Sequence, residues 1–324
     1  MLDGLTHEQQ MLQESTRRFV DEEMLPHEDL VDREGHVPIE LGRQIEFRAK
    51  DVGLFAANLP ENVGGGGLDY TSMAVIEREF GRTSHALHAW VARPTELLLA
   101  TEGAQKEQYL APCVTGAKRE LFALSEPEAG SDIMSMKSNA KRDGKDWILT
   151  GSKHFISGPV MPDFAIVFAA TGHDETPRGP RPRITAFLVD VGMPGFDIQV
   201  GYNCVSYRGY LNFKLDFDNV RLSPDHILGE EGRGLELSGK WLGMGRIWVG
   251  ATCCGKAERL FEMATSWAAE RKQFGQAIGK FQATGFKLAD MAVELRAADL
   301  LVKDAISKAD QGVMTDSDLS LIHI

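Results

Sequence analysis

Three clusters of side chains have the types and spacing to do chemistry. Phe122-Ala123-Leu124-Ser125-Glu126-Pro127-Glu128-Ala129-Gly130-Ser131-Asp132 gathers small and hydroxyl residues in one stretch. Such a loop leaves backbone N–H groups open to close approach by a ligand. Further on, Gly151-Ser152-Lys153-His154-Phe155-Ile156-Ser157-Gly158 sets an aromatic ring and hydroxyls near a strand end. Much later come Glu270-Arg271-Lys272-Gln273-Phe274-Gly275 and then Phe281-Gln282. The guanidinium fork of Arg271 suits a phosphate-type anion through charge-assisted bonds. Taken singly, each cluster reads as a turn, a strand end or a surface arginine at a helix end.

Other stretches imitate chemistry and fail on a specific residue. Gly250-Ala251-Thr252-Cys253-Cys254-Gly255-Lys256-Ala257 nearly matches a phosphate-binding loop, but Ala257 stands where a hydroxyl must meet Mg²⁺. Its glycines read better as close-packing positions in a helix. No G-x-G-x-x-G and no G-x-S-x-G is present, so the dinucleotide and serine-hydrolase fingerprints are missing. His85 and His88 share a helical spacing, but no further ligand spacing completes a metal set, and no metal is expected. Adjacent Cys253 and Cys254 lie on different helix faces and read as small buried hydrophobes.

These clusters need elements to hold them. The first 120 residues read as helical, opening with a capping box in which Gln9 follows Thr6 by three. Leu12, Phe19 and Val20 share one face of that helix, and Pro26 ends or bends it. The Gly64-Gly65-Gly66-Gly67 run breaks the chain, and helical stretches follow around 74–80 and through Leu97, Leu98 and Leu99. From about residue 121 the period changes to two. Strands are expected over 145–156, entered through an Asp143-Gly144 turn, and over the apolar runs 164–168 and 184–189. Leu211, Phe213, Leu215 and Phe217 alternate with polar residues as a half-buried strand. Pro177, Pro180 and Pro182, interleaved with Arg178, Arg181 and Arg183, read as a solvated basic loop. Long helices are expected over 235–271 and from 281 to about 308, with Gly275 and Gly279 between them. The expected domains are 1–120, 121–228 and 229–318.

Composition bounds the function. The chain has 324 residues, and 47 acidic against 35 Lys and Arg give a formal charge of −12. That acidity disfavours a general nucleic-acid binder, which needs a basic surface. No apolar run is long enough for a membrane span. The N-terminus shows no signal-peptide pattern, and four scattered cysteines make no disulfide scaffold. Both point to a reducing compartment, and a cytoplasmic location is expected.

Taken together, in this order and across a helix–β–helix layout, the three clusters resemble the acyl-CoA dehydrogenase flavoprotein family. Leu59-Pro60-Glu61-Asn62, before the glycine run, belongs to the same resemblance, which extends to about residue 316. It implies an α+β multidomain fold: an N-terminal helical domain, a central antiparallel β-barrel-like domain and an incomplete C-terminal helical bundle. It also implies non-covalent FAD, lined by Phe122, Leu124, Ser125, Gly130 and Ser131. Phe155 would stack on the flavin, Ile156 would adjoin it, and Ser157 would place its hydroxyl at N5. Many relatives carry Trp and Thr in place of Phe155 and Ser157. Arg271, Gln273, Phe274, Phe281 and Gln282 match residues that reach the FAD of a neighbouring subunit, so a homo-oligomer, a dimer of dimers, is implied. Ser131, Gly243, Met244, Gly245 and Arg246 match the substrate side, with Arg246 supporting the active site.

The reaction implied is α,β-dehydrogenation of an acyl-CoA to a 2-enoyl-CoA, with hydride to FAD N5 and electrons on to an electron-transfer flavoprotein. A carboxylate must take the α-proton while hydrogen bonds polarise the thioester carbonyl. In some relatives that carboxylate precedes the arginine matching Arg246, where this chain has Gly245. In most it lies further downstream, so the base is expected beyond residue 324 and the chain by itself is expected to be inactive. An acyl-CoA oxidase, a nitroalkane oxidase or a non-catalytic flavin- or CoA-binding protein are the alternatives. The last six residues, 319–324, correspond to CTG-TCT-CTT-ATA-CAC-ATC, a transposase mosaic-end adaptor, and are expected to be a non-native tail.

Overall fold

A computed structural model describes residues 4–91, 93–177 and 179–323. In chain order the α-helices are α1 (His7–Glu23), α2 (Glu28–Glu34), α3 (Ile39–Asp51), α4 (Tyr70–Phe80), α5 (His85–His88), α6 (Ala111–Thr115), α7 (Gly234–Glu270), α8 (Gln282–Asp310) and α9 (Asp316–His323). The strands are β1 (Glu120–Ala123), β2 (Asn139–Asp143), β3 (Asp146–Gly158), β4 (Phe164–Thr176), β5 (Gly179–Asp190), β6 (Phe196–Val200), β7 (Leu211–Leu222), β8 (Ile227–Leu228), β9 (Lys272–Gln273) and β10 (Gln276–Ala277). Among the described residues no helix is long and apolar enough to cross a membrane.

Two compact units form. One gathers residues 1–28, 68–88 and 242–324, and the other gathers 29–67 and 89–241. The N-terminal segment is therefore shared out, for a packing reason. In the first unit α4 lies backbone to backbone on α7. A Cβ at Gly255 would overlap the carbonyl oxygen of Arg78, and a Cβ at Gly81 would overlap that of Thr252. The glycines of the phosphate-loop lookalike thus serve helix packing, as the sequence suggests. Arg78, almost fully buried, grips Asp299 of α8 at 2.7 and 3.2 Å and Glu258 of α7 at 3.1 Å. Arg17 adds bonds to Glu79 at 2.7 and 3.0 Å. Helix α1 starts at the expected capping box: Thr6 Oγ1 accepts from the Gln9 amide at 3.2 Å, and Gln9 Oε1 accepts from the Thr6 amide at 3.1 Å.

The second unit is built on an eight-stranded sheet in the order β6-β7-β3-β2-β4-β5-β8, with β1 added beside β4. Its pairings are antiparallel except β1 and β2 against β4. Trp147, Leu149, Phe187, Phe213, Leu215, Phe217 and their neighbours form its apolar core. Helix α3 joins this unit through Glu46, which pairs with Arg119 and Lys50.

Two local expectations are corrected. Pro180, Pro182, Arg181 and Arg183 lie in strand β5, paired with 173–175 and 172 of β4, rather than in a loop. The period-2 signal was hidden there because both faces carry polar residues and proline. Pro177 falls in the tight turn between the two strands, and Arg178 lies outside the described residues. Leu97 to Leu99 form a 3₁₀ turn, Glu96–Ala100, capped by Thr95. At the chain end 319–323 belong to α9, with Leu319 buried; Met1–Asp3 and Ile324 lie outside the described residues.

Candidate functional site

In the sheet unit the first two clusters come together at the end of β1 and the end of β3. Strand β3 pairs with β7 in three stretches, with register shifts between Leu149 and Gly151 and between Lys153 and Ile156; the second lies at the site. This is a bulge, and bulges re-aim side chains beside functional sites. Before it, Trp147 and Leu149 face the core; after it, Ile156 does. The chain absorbs the shift at Phe155, whose φ of 54° is left-handed, unusual for an aromatic residue. Phe155 is turned outward, with 56% of its surface exposed. It sits against His154, centroids 4.1 Å apart, and Tyr202, at 4.8 Å. Ser157 is exposed two residues later.

A buried ion pair joins the two clusters from behind. Lys153 is 1% exposed and Glu126 3%. Lys153 Nζ donates to the Leu124 carbonyl at 2.9 Å and to Glu126 Oε1 at 2.8 Å. Glu126 also accepts from the amides of Lys137, at 2.6 Å, and Ser138, at 3.0 Å. The His154 amide donates to the Ser125 carbonyl at 3.1 Å. Burial pushes the Lys153 ammonium down to about 8, against the pull of Glu126. Burial would raise the Glu126 carboxyl, but Lys153 and the bonds from Ser138 and Lys137 outweigh it and hold it below its ordinary value. Both groups are charged at neutral pH.

Of the expected residues here, Ser125, Gly130, Ser131, Phe155 and Ser157 present exposed or half-buried surface. Leu124 is buried and contributes its carbonyl to Lys153. Ile156 points into the core, so only its backbone can meet a ligand. Phe122 is half-buried between Phe168, at 5.1 Å, and Trp241, at 4.4 Å. Asn212 of β7 donates from Nδ2 to Ser157 Oγ at 3.1 Å. Sequence reasoning missed Lys153, Glu126 and Asn212. A signal for Lys153 existed: it shares the inward parity of Trp147 and Leu149.

In the helical unit the third cluster forms a protruding hairpin. Strands β9 and β10 pair Gln273 with Gln276, and Phe274-Gly275 make the two-residue turn with φ of 50° and 77°. Positive φ at both central positions is the tight primed turn, which favours Asn-Gly. Phe274 is instead 93% exposed, with its ring T-shaped to that of Phe281, centroids 6.2 Å apart. Arg271, Gln273 and Gln282 are exposed beside it. Gly243 to Arg246 lie on α7. A Cβ on Gly243 would press Leu319, whereas one on Gly245 would meet open space. Arg246 lines an apolar cavity of about 600 Å³ with Val249, Leu260, Met291 and Leu295. His85 and His88 pack ring edge to ring face, 5.5 Å apart, and Glu77 lies 3.4 Å from His88. Among the described residues no group of three or more His, Cys, Asp or Glu could hold a metal ion.

Comparison with known proteins accounts for nearly the whole chain. Residues 6–117 match the family described as acyl-CoA dehydrogenase, N-terminal domain; 121–220 match its middle domain and 232–323 its C-terminal domain. The chain is 33% identical to the caffeyl-CoA reductase-Etf complex subunit CarC of Acetobacterium woodii, over 94% of this chain and 80% of that protein. It is 33% identical to the short-chain specific acyl-CoA dehydrogenase, mitochondrial, of Bos taurus, over 90% and 70%. The butyryl-CoA dehydrogenase structure from Megasphaera elsdenii superposes with a TM-score of 0.86 at 30% identity, covering 99% of this chain and 84% of that one. The cytoplasmic expectation is corrected by these relatives, since the bovine protein and its human counterpart are mitochondrial.

Proposed function

The chain belongs to the acyl-CoA dehydrogenase family, an enzyme family of flavin-dependent acyl-CoA oxidoreduction, and from this we propose that it converts an acyl-CoA thioester to its 2-enoyl-CoA with FAD, passing electrons to an electron-transfer flavoprotein. The observation that carries the reading is the hydroxyl of Ser157. Asn212 already donates to its oxygen, so its own proton is free to point outward, beside the exposed face of Phe155. An outward donor next to an outward ring is the donor set that an isoalloxazine edge and plane require, and the residues present fit FAD.

Ser157 would hold the flavin edge and Phe155 would cover its plane. The Ser125 loop, small and tied back by His154, would let backbone groups approach the ring. Arg271 and Gln273, exposed with Phe274 on their hairpin, would reach the cofactor of a neighbouring subunit, which makes the working protein an oligomer. When bound, FAD supplies the acceptor for the β-hydride. On the substrate side Gly245 leaves room for the thioester, and Arg246 adds positive charge beside it. Gly245 cannot take the α-proton, so that task falls to a carboxylate outside the 243–246 strip.

The Acetobacterium woodii relative is a subunit of a caffeyl-CoA reductase-Etf complex, and the same hydride chemistry runs in either direction. The test is therefore made both ways. Full-length protein, carrying the carboxylate expected beyond residue 324 and loaded with FAD, is expected to bleach with a saturated acyl-CoA and to transfer electrons to an artificial acceptor. Bleaching coupled to O₂ consumption would favour an oxidase. A yellow protein that never bleaches would favour the non-catalytic binder. Re-oxidation of the reduced protein by a 2-enoyl-CoA measures the reductive direction. A protein that cannot be loaded with FAD would sink the reading.

A further inference from the structure

The bulge that turns Phe155 outward interrupts the ladder between β3 and β7, so ordinary strand pairing stops at Lys153, resumes at Ile156 and leaves residues 154 and 155 without partners on β7. What holds them is Lys153. From one buried side chain it bonds the Leu124 carbonyl and the Glu126 carboxylate, both in the loop after β1. Glu126 passes the restraint on, accepting the amides of Lys137 and Ser138 just before β2. One backbone bond, from His154 to Ser125, closes the same gap. Three segments remote in sequence thus converge on a single ammonium and carboxylate. Two of them carry the residues that face outward, Ser125 in one and Phe155 and Ser157 in the other.

We propose that Lys153 and Glu126 act as a positioning lock, fixing the separation between the Ser125 loop and the Phe155–Ser157 strand end and so the geometry offered to the flavin. Lys153 touches no ligand; it acts through the bulge. The proposal rests on the flavin reading above. A hydrophobic pair of similar size would fill the space and stabilise the unit as well or better, since buried ion pairs are seldom a net gain in stability. Two directional bonds to fixed oxygens are what such a pair would not supply.

The test compares the wild-type protein with Lys153→Met, Lys153→Arg and the double variant Lys153→Met/Glu126→Gln. Three quantities are read: FAD affinity, the visible spectrum of bound FAD, and amide hydrogen exchange at His154 in the cofactor-free protein. Lys153→Met leaves a buried carboxylate unpaired and should lower the melting temperature. The double variant removes that charge and should recover most of the loss. The lock predicts that FAD affinity stays at least tenfold weakened in the double variant, with a shifted spectrum and faster exchange at His154, although stability returns. Recovery of affinity, spectrum and exchange together with stability would overturn it and leave the pair a purely structural one. Should neither Met variant fold, Lys153→Arg decides. It keeps the charge but brings a longer, planar head into a fully buried site shaped around an ammonium, so unchanged affinity, spectrum and exchange would overturn the lock. Slow exchange at His154 that quickens in the variants of a protein taking up no FAD would keep the lock and sink the flavin reading instead.

Discussion

Asn212 Nδ2 donates to Ser157 Oγ at 3.1 Å, while Asn212 Oδ1 is buried with no hydrogen-bond partner among the described residues. The amide is thereby oriented: its donor end is used and its acceptor end tolerated. Asn212→Asp replaces that donor by a carboxylate, which would draw the Ser157 proton inward. FAD affinity should fall by about tenfold, worth about 1.4 kcal/mol, and Ser157→Ala should give a loss of similar size. Titration of the cofactor-free protein with FAD checks both. Equal affinity in Asn212→Asp would show that the hydroxyl is not a donor.

Gly255→Ala should destabilise the helical unit by on the order of 3 kcal/mol, the upper range for overpacking. The new Cβ would overlap the backbone of Arg78, which cannot rotate away. Gly245→Ala, on the same helix in open space, should change stability little or raise it slightly through helix propensity. Denaturant midpoints of the two variants make the comparison.

Phe274→Asn should separate stability from assembly. Asn tolerates the left-handed backbone better than Phe, so local strain of about 1 kcal/mol is relieved and the melting temperature rises. The exposed ring is lost at the same time, so oligomer formation and FAD retention should weaken. Calorimetry and sedimentation on the same sample read both. A tighter oligomer in Phe274→Asn would contradict a subunit-contact role.

Acid should destabilise the protein as pH falls through and below the ordinary carboxylate range. Glu126 and Glu258 both lie below their ordinary value of 4.5 in the folded state. For Glu258 the desolvation that would raise it is outweighed by Arg78, Arg17 and Arg82. A depressed carboxyl contributes its full stability above the unfolded value and loses it as pH falls through the folded one. Melting temperature should therefore hold above pH 5 and fall below about 4.5. Glu258→Gln should flatten that limb. An acid limb identical to wild type would show that Glu258 is not among its causes.

Much of this architecture was legible in the sequence. The Thr6–Gln9 box marks the start of α1, and the alternation from Leu211 to Phe217 gives β7, because caps and half-buried strands are local patterns. The Pro180 to Arg183 segment was not legible as strand, since a hairpin arm exposed on both faces has no apolar period. The motif singles out Phe155 and Ser157, but it does not say why they point outward. The reason lies in the bulge, visible only as a change of inward parity from Leu149 to Ile156. Lys153 was hidden because a lysine inside a strand reads as solvent-facing until a carboxylate is known to be opposite. That carboxylate, Glu126, comes from another segment, and no local pattern announces a long-range pair.

The Lys153–Glu126 pair lies behind the strand end, on the side away from the residues it would aim. The front and the back of this edge are therefore separable. Substitutions at 155 and 157 alter a ring and a hydroxyl that bear little of the unit's packing, so they can be exchanged singly at small cost to folding. A change behind them moves every front residue together. An engineer, or selection, would thus have two independent handles: side-chain identity at the front for gradual tuning, and one buried contact at the back for shifting the whole edge at a stroke.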